Sequence, residues 1–152
     1  MEKKYKLTDE TINLNGATLY RIEALKDFGE IKKGDKGGFI ESEDNLSHEG
    51  NAWVYDDACV YDNALVTDDA CVSDNARVYN DARLSGNSWV YDNACVYGTS
   101  CVYDDARVCG NSRVYGTARV YDDARVYGNS RVYDNDWVYD NALGVWKRSN
   151  KK

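Results

Sequence analysis

The 152-residue sequence contains no proline, one histidine, one methionine and two phenylalanines, and it has no long apolar run. Proline removes a backbone donor from a strand ladder, so its absence suits a chain made of hydrogen-bonded strands. A membrane-spanning helix needs roughly 20 apolar residues in succession, and a secretory signal peptide needs an apolar central segment. Because neither pattern is found, we expect no membrane partner.

The five cysteines are odd in number and lack the spacings of metal-binding pairs. They are Cys59, Cys71, Cys95, Cys101 and Cys109. This usage is typical of reduced thiols, which persist in the cytosol. We therefore expect a cytoplasmic protein.

Charge is separated along the chain. Residues 51–146 contain 15 Asp and 7 Arg but no Lys and no Glu, whereas the last six residues, KRSNKK, carry four positive charges. The net charge of −7 disfavours general attraction to phosphates, so we expect no direct binding to a nucleic-acid backbone. Residues 147–152 are predicted to form a basic C-terminal tail.

A six-residue phrase dominates the remaining sequence. The stretch DARVYGNSRVYDNDWVYDNA, which begins at Asp123, repeats it three times, and it extends back to Asn51 without interruption. Fifteen hexads cover residues 51–140, and their fourth position is Val in every hexad but one, where it is Leu84. A fixed six-residue period predicts a parallel β-helix.

The order of residues within each hexad predicts how the coil is built. Side chains alternate across a strand, so Ala and Val point inward while the variable residue and the following Tyr point outward. The next two positions are mostly Asp, Asn or Gly, which favour a corner. Three hexads close one triangular coil, so an equivalent position recurs at every third hexad. Asp136 occupies an inward position and is expected to mark the end of the dry interior.

The ends of the coil can be placed from the same pattern. Residues 1–37 are predicted to form an N-terminal cap containing a β-hairpin that turns at Asn15–Gly16. The β-helix is predicted over residues 38–146, with Gly144 in a valine position and Trp146 covering the open end of the core. The fold class is therefore all-β.

The hexads resemble those of hexapeptide-repeat proteins that form a single-stranded left-handed parallel β-helix. The segment LKDFGEIKKGDKGGFIESEDNLSHEGNAWVY resembles the leading cap of bacterial and phage-encoded members, which are often labelled hexapeptide transferases. The resemblance implies left-handed coiling and a homo-oligomer, with a trimer favoured. It also implies an alternative function, an acyltransferase that uses coenzyme A and a histidine base. Here the hexads contain no histidine and no inserted loop, which leaves His48 as the one alternative catalytic residue.

A calcium site is a second alternative. With three hexads per coil, Asp104 and Asp105 lie next to Asp122 and Asp123 in the neighbouring coil, and columns of oxygen ligands can hold Ca²⁺. Asp is also a common turn residue, which explains the same pattern without a metal. We predict no metal and no cofactor, with Ca²⁺ and coenzyme A as the alternatives.

The outward positions point to binding. One side of the coil carries a tyrosine ladder and, beside it, a column of arginines and cysteines. The predicted binding residues are Tyr61, Tyr79, Tyr97, Tyr115, Tyr133, Arg77, Arg113 and Arg131. Tyr and Arg are frequent in binding hot spots, although Arg is also expected to stack on aromatic rings and to pair with the corner Asp.

These observations favour a non-enzymatic binding or interaction module. Its partner is expected to be a protein or a small nucleotide ligand. A phage-encoded inhibitor of a host bacterial enzyme and a protein that sequesters a nucleotide signal are specific versions of this function. An acidic DNA mimic is a further alternative, because rows of Asp on a rod imitate phosphates.

Overall fold

The chain begins with an antiparallel hairpin. The structure, a computed structural model, describes residues 3–139. Strands β1 (Tyr5–Leu14) and β2 (Ala17–Ala24) are joined by Asn15 and Gly16, whose φ angles are 52° and 90°. Positive φ at both central residues is what a type I′ turn requires, and Asn-Gly is the pair that provides it most readily. The predicted hairpin is confirmed.

Strand β3 (Lys36–Ile40) connects the hairpin to the coil. It pairs antiparallel with β2 and parallel with a strand of the first coil, where Phe39 lies opposite Cys59. A side chain at Gly37 would bring its Cβ within 2.5 Å of the Val54 carbonyl oxygen, so the close approach at this point requires glycine. A short 3₁₀ helix, Glu43–Asn45, follows, and Ser42 caps its N-terminus.

The hexads form fifteen two-residue strands, each made of the variable residue and the valine or leucine, and these strands lie on three sides. The tyrosine side holds β5 (Cys59–Val60), β8 (Arg77–Val78), β11 (Cys95–Val96), β14 (Arg113–Val114) and β17 (Arg131–Val132). The tryptophan side holds β4 (Trp53–Val54), β7 (Cys71–Val72), β10 (Trp89–Val90), β13 (Arg107–Val108) and β16 (Arg125–Val126). The third side holds β6 (Leu65–Val66), β9 (Arg83–Leu84), β12 (Cys101–Val102), β15 (Arg119–Val120) and β18 (Trp137–Val138).

Every strand pair between these coils is parallel and joins equivalent positions three hexads apart, as in Val60 with Val78 and Val78 with Val96. The coil of three hexads and the all-β parallel solenoid are thereby confirmed. The left-handed sense of coiling stays a prediction from the resemblance. The expectations for Gly144, Trp146 and residues 147–152 lie outside the described residues.

The interior of the coil consists of the two inward positions of each hexad. The valines from Val54 to Val138 and the alanines that precede them are at most 1% exposed. Asp136 also faces inward and is 1% exposed, and its Oδ2 accepts a hydrogen bond from the backbone N–H of Tyr133. This carboxylate therefore satisfies a backbone donor at the last described corner, as buried polar groups generally do. Over residues 3–139, no helix has the length and apolar character needed to span a membrane.

Candidate functional site

The tyrosine side carries a continuous stack of rings. Tyr79 and Tyr97 have centroids 4.9 Å apart with planes at 5°, and the next pair, Tyr97 and Tyr115, is 5.0 Å apart at 5°. Tyr61 and Tyr133 extend the stack at 5.0 and 5.6 Å. The spacing follows from the separation of parallel strands, about 4.8 Å. Because the ring faces contact one another, it is the ring edges that remain for a partner.

The first ring of this stack is covered by the chain itself. The structure corrects the expectation that Tyr61 faces solvent, because Tyr61 is only 5% exposed. It packs in a cluster with Leu19, Phe39 and Cys59, which the hairpin, β3 and the first coil supply. Burial raises the pKa of Tyr61 to about 12. Of the predicted binding tyrosines, Tyr61 is therefore part of the structure that holds the hairpin to the coil.

Arg77 lies beside the covered part of the ladder. It lines a groove of about 730 Å³ between the hairpin and the tyrosine side, together with Ile12, Leu14 and Cys95. Arg21, at the same groove, is already paired with two carboxylates, those of Glu10 and Asp57, at 2.9 and 3.2 Å. Cys95 lies in register between Arg77 and Arg113, so Arg77 is set apart from Arg113 and Arg131, which are in register on neighbouring strands of the open part of this side.

The arginines of the hexads do not pair with the corner aspartates, contrary to expectation. Within residues 3–139, no ion pair joins any of the seven to a carboxylate. Some of them contact aromatic residues instead. The Arg107 guanidinium lies 5.4 Å from the centroid of the Trp89 ring, and a side-chain hydrogen bond with Tyr97 raises the pKa of Arg113. Arg107 therefore stacks on an aromatic ring as expected, whereas the expected ion pairs are not found in residues 3–139.

The corner aspartates bond to the backbone of the next coil. In six corners of the described part of the coil, the Oδ2 atom accepts a hydrogen bond from the N–H group at the equivalent position of the next coil, over 2.9 to 3.2 Å. The acceptors are Asp56, Asp62, Asp68, Asp74, Asp92 and Asp104. Such charge-assisted bonds are stronger than neutral ones. The acidic columns therefore connect coils, a role that the sequence pattern did not reveal.

The same bonds bear on the calcium alternative. The Asp104 carboxylate accepts a hydrogen bond from the N–H of Asp122, and Asp105 accepts one from the Asn87 side chain at 3.3 Å. In the part of the chain that the structure describes, no three side chains of His, Cys, Asp or Glu are grouped so as to hold a metal ion. Asp122 and Asp123 line a shallow depression with these residues.

His48 is built into the cap. Its ring stacks on Tyr5 at 4.2 Å, its Nδ1 accepts a hydrogen bond from the Lys4 backbone N–H, and its Nε2 contacts Glu43 Oε1 at 2.8 Å. Since Nδ1 is an acceptor, the proton belongs on Nε2, which donates to Glu43. This hydrogen bond lowers the pKa of the Glu43 carboxyl. Both ring nitrogens of His48 are thus used to fix the start of β1.

Lys4 is a buried charge that no pattern in the sequence predicts. It is fully buried, and its Nζ donates to the carbonyl oxygens of Ala52 and Gly50 at 2.7 and 3.3 Å. The ammonium group also lies 4.8 Å from the centroid of the Phe28 ring. Burial, with a smaller contribution from Lys26, lowers the pKa of Lys4 to about 8. A single lysine near the start of a chain carries no periodic signal, so only the folded cap reveals it.

Two comparisons with known proteins agree with this architecture. A family model described as the YdcK beta solenoid repeat matches residues 70–86 and 118–135. A protein of Escherichia coli (strain K12) named "Uncharacterized acetyltransferase YdcK" is 34% identical over 62 residues, which cover 36% of this chain and 19% of that protein. The chain therefore spans about one fifth of the length of this relative.

All three lines of observation concern the repeat. The hexads predict coils of three repeats, the strands pair at that interval, and both matched segments lie within the hexads. The chain is therefore built of hexapeptide repeats that form a parallel β-helix, and two of its segments are similar to the YdcK beta solenoid repeat.

Proposed function

We propose that the protein is a non-enzymatic binding module whose contact surface is the open part of the tyrosine side. This surface consists of Tyr97, Tyr115, Tyr133, Arg113 and Arg131. One observation carries the proposal: Arg113 and Arg131 are exposed and in register, yet neither forms an ion pair with a carboxylate within residues 3–139. Like charges directly opposite one another on neighbouring strands are unfavourable, and an anionic partner offsets that repulsion.

The covered part of the same side supports the proposal. The hairpin packs on Tyr61, so this side already accommodates a polypeptide at its N-terminal end. A partner protein or a sister subunit would cover the remaining rings in a similar way. Residues such as Tyr and Arg, which combine a rigid apolar body with polar groups, are well suited to that contact. A homo-oligomer, in particular a trimer, belongs to the same proposal.

We also propose a cellular location and a biological role for this binding module. All five cysteines are free thiols, which favours a cytoplasmic protein. In that setting the module would inhibit a host bacterial enzyme, as a phage-encoded protein, or would capture a nucleotide signal. Both roles require an anionic group on the partner or ligand.

The experiment is a capture from bacterial lysate with the tagged full chain, followed by mass spectrometry of bound proteins and of small molecules released on denaturation. The variant Arg113→Glu with Arg131→Glu should lose the captured partner. The matched control is Arg83→Glu with Arg119→Glu, which makes the same charge change at exposed positions of the third side. A partner that is retained by the first variant would place the contact surface elsewhere.

An acyltransferase is the second candidate, and the observation that favours it is that the E. coli relative is named as an acetyltransferase. In this alternative His48 would be the base. Replacing His48 with Ala should then abolish acetyl transfer from acetyl-coenzyme A while the far-ultraviolet circular dichroism of the coil is unchanged. Under the binding proposal, the same variant retains partner capture, and no coenzyme A is released from the denatured protein.

A further inference from the structure

The tryptophan side has a gap in its outward aromatic residues. In the first and third coils both outward positions of this side are aromatic, whereas in the second coil they are Cys71 and Ser73. On the tyrosine side, by contrast, each coil supplies a ring that stacks on the next. The first and third coils are two strand spacings apart, about 10 Å, so the small side chains of the second coil leave space between the aromatic residues.

A cavity of about 440 Å³ fills this space, and we call it the aromatic cleft. Tyr55 of the first coil and Trp89 of the third coil line it, with Cys71 and Ser73 of the second coil between them and three carboxylates around them. Trp89 is 37% exposed, so part of its ring surface is open to a ligand. The volume lies in the range of small-molecule sites, which are commonly lined by aromatic side chains with a few polar groups.

Both aromatic walls of the cleft are held in place by the second coil. The Trp89 Nε1–H donates a hydrogen bond to Ser73 Oγ at 2.9 Å, and a side-chain hydrogen bond joins Tyr55 to Cys71. Rings that are already fixed lose little conformational freedom when a ligand binds. Trp89 also accepts a cation, because the Arg107 guanidinium of the next coil lies 5.4 Å from the centroid of its ring. Cys71 is in register with Trp89 on the side away from Arg107, so the cleft is on that other side.

The polar lining of the cleft is negative. Its carboxylates belong to Glu30, Asp56 and Asp74, and all three residues are exposed. Glu30 lies in a tight turn of the cap and forms no ion pair within residues 3–139. Asp56 and Asp74 each accept a backbone hydrogen bond from the next coil and keep their charge. Lys4 interacts with Cys71, but its ammonium group is bonded to carbonyl oxygens and does not line the cleft.

We propose that the aromatic cleft binds a planar organic cation, with its ring against Trp89 and Tyr55 and its positive charge toward the three carboxylates. The face of an aromatic ring attracts a cation, and Trp does so most strongly. A neutral ring of the same shape would gain the ring contacts alone, and an anion would be repelled by the carboxylates. The cleft is on a different side of the coil from the proposed contact surface, so this inference goes beyond the proposed function and does not depend on it.

Three ligands of one shape test the proposal. 1-Methylnicotinamide, nicotinamide and nicotinate share a flat pyridine ring and are positive, neutral and negative at neutral pH. Each is titrated into the full chain while the indole N–H signals of the tryptophans are recorded by proton NMR, and Trp89→Phe identifies the signal of Trp89. We expect 1-methylnicotinamide to shift the Trp89 signal saturably and to bind most tightly of the three, with nicotinate the weakest.

Variants separate the contribution of the ring from that of the charge. Trp89→Ala should weaken 1-methylnicotinamide by about tenfold, whereas Trp89→Phe, which keeps a ring, should weaken it less. The control for the ring is Trp137→Ala, at an exposed tryptophan of the third side, which should bind like the parent. Glu30→Gln should weaken 1-methylnicotinamide about two- to fivefold and leave nicotinamide unchanged. Its control is Glu49→Gln, the same change at an exposed residue outside the cleft.

Three outcomes would overturn the proposal. They are the lack of a saturable shift of the Trp89 signal, binding of nicotinate as tight as that of 1-methylnicotinamide, and unchanged affinity in Trp89→Ala. The last outcome would show that the cation is attracted only by the net negative charge of the chain. Partner capture should be the same for Trp89→Ala and the parent, so failure of the cleft and failure of the tyrosine-side contact surface are distinguished.

Discussion

Asp104 and Asp122 occupy the same corner in successive coils, and the Oδ2 atom of Asp104 accepts a hydrogen bond from the backbone N–H of Asp122 at 3.1 Å. Asp104 has a φ angle of 59°, in the left-handed region that Asp tolerates better than most residues. One residue type thus serves both needs of the corner, the backbone conformation and the bond to the next coil.

Replacing Asp104 should therefore separate these two contributions. Asp104→Gly loses the hydrogen bond but suits the positive φ, and we expect a loss of about 1 kcal/mol in the free energy of unfolding. Asp104→Ala loses the bond and adds the strain of a Cβ in the left-handed region, so it should lose about 2 kcal/mol or more. Asp104→Asn keeps an acceptor and should be the mildest change.

Urea unfolding followed by circular dichroism gives the three free energies. Asp105→Ala, at the adjoining corner position, is the control, and it should lose less than Asp104→Ala. Equal losses for Asp104→Gly and Asp104→Ala would show that a Cβ at this positive φ angle adds no measurable strain. Added Ca²⁺ should leave the midpoint of the parent protein unchanged, whereas an increase would support the calcium site at Asp104, Asp105, Asp122 and Asp123.

The stacked rings should contribute measurably to stability. Tyr97 contacts the rings of Tyr79 and Tyr115, so Tyr97→Ala removes two stacked pairs. With about 0.5–1.5 kcal/mol for each pair, the loss should be about 2 kcal/mol. Tyr127→Ala, which removes an exposed ring, should change stability by about 0.5 kcal/mol or less. Thermal and urea unfolding of the two variants measure these losses. Similar losses of stability for Tyr97→Ala and Tyr127→Ala would show that the stacked rings do not stabilise the coil.

A buried serine offers a stabilising substitution. Ser112 is fully buried, and its hydroxyl finds no hydrogen-bond partner among the described residues, whereas the Ser100 hydroxyl donates to the Tyr97 carbonyl oxygen at 2.7 Å. Alanine already fills the equivalent position in the preceding coil, at Ala94. Ser112→Ala should therefore stabilise the protein by about 1 kcal/mol, and Ser100→Ala should destabilise it by a similar amount. Urea titrations should show a higher free energy of unfolding for Ser112→Ala and a lower one for Ser100→Ala. A lower value for Ser112→Ala would contradict the prediction.

Stability should also fall in alkali. Burial raises the pKa of Tyr55 and of Tyr61 to about 12, whereas an unfolded tyrosine titrates near pH 10. The folded state therefore binds more protons than the unfolded state between roughly pH 10 and 12, and the stabilisation, complete below pH 10, is lost as the pH rises through that range. Lys4 acts in the opposite sense, because its lowered pKa makes the unfolded state bind more protons between about pH 8 and 10.5.

The combined expectation is a shallow maximum of stability near pH 10, followed by a decrease. Urea unfolding at closely spaced pH values, with phenolate absorbance recorded in parallel, would detect it. Tyr61→Phe should reduce the slope above pH 10, while Tyr127→Phe, at an exposed ring, should not. If the free energy of unfolding of Tyr61→Phe falls as steeply above pH 10 as that of the parent, the pH dependence does not come from Tyr61.

The repeating part of the fold is predictable from the sequence because the pattern there depends on nearest neighbours. Ala and Val at fixed hexad positions determine which side chains enter the core, and the interval between paired strands follows from three such hexads. The turn at Asn15–Gly16 is equally local. Contacts between residues far apart in the sequence are not contained in the pattern, and the burial of Tyr61 under the hairpin and the burial of Lys4 among carbonyl groups are of that kind.

The site is less predictable than the fold for a related reason. Counting charges predicts that Arg pairs with the corner Asp, but the corner carboxylates are engaged by backbone N–H groups instead. Whether a carboxylate bonds to a guanidinium or to the backbone depends on distances that composition does not contain. The replacement of Asp by Gly–Asn at the corner before Arg113 and Arg131 is visible in the sequence, but only the structure shows which two sides that corner joins.

The interval of three hexads between paired strands also constrains how such a gene can change in length. A duplication or deletion of three consecutive hexads adds or removes one complete coil and leaves every remaining column in place. A change of a single hexad keeps the repeated phrase intact but moves each later side chain to the next side, which would disperse the tyrosines and the paired arginines. Selection on the surface of this protein should therefore favour recombination in whole coils, three hexads at a time.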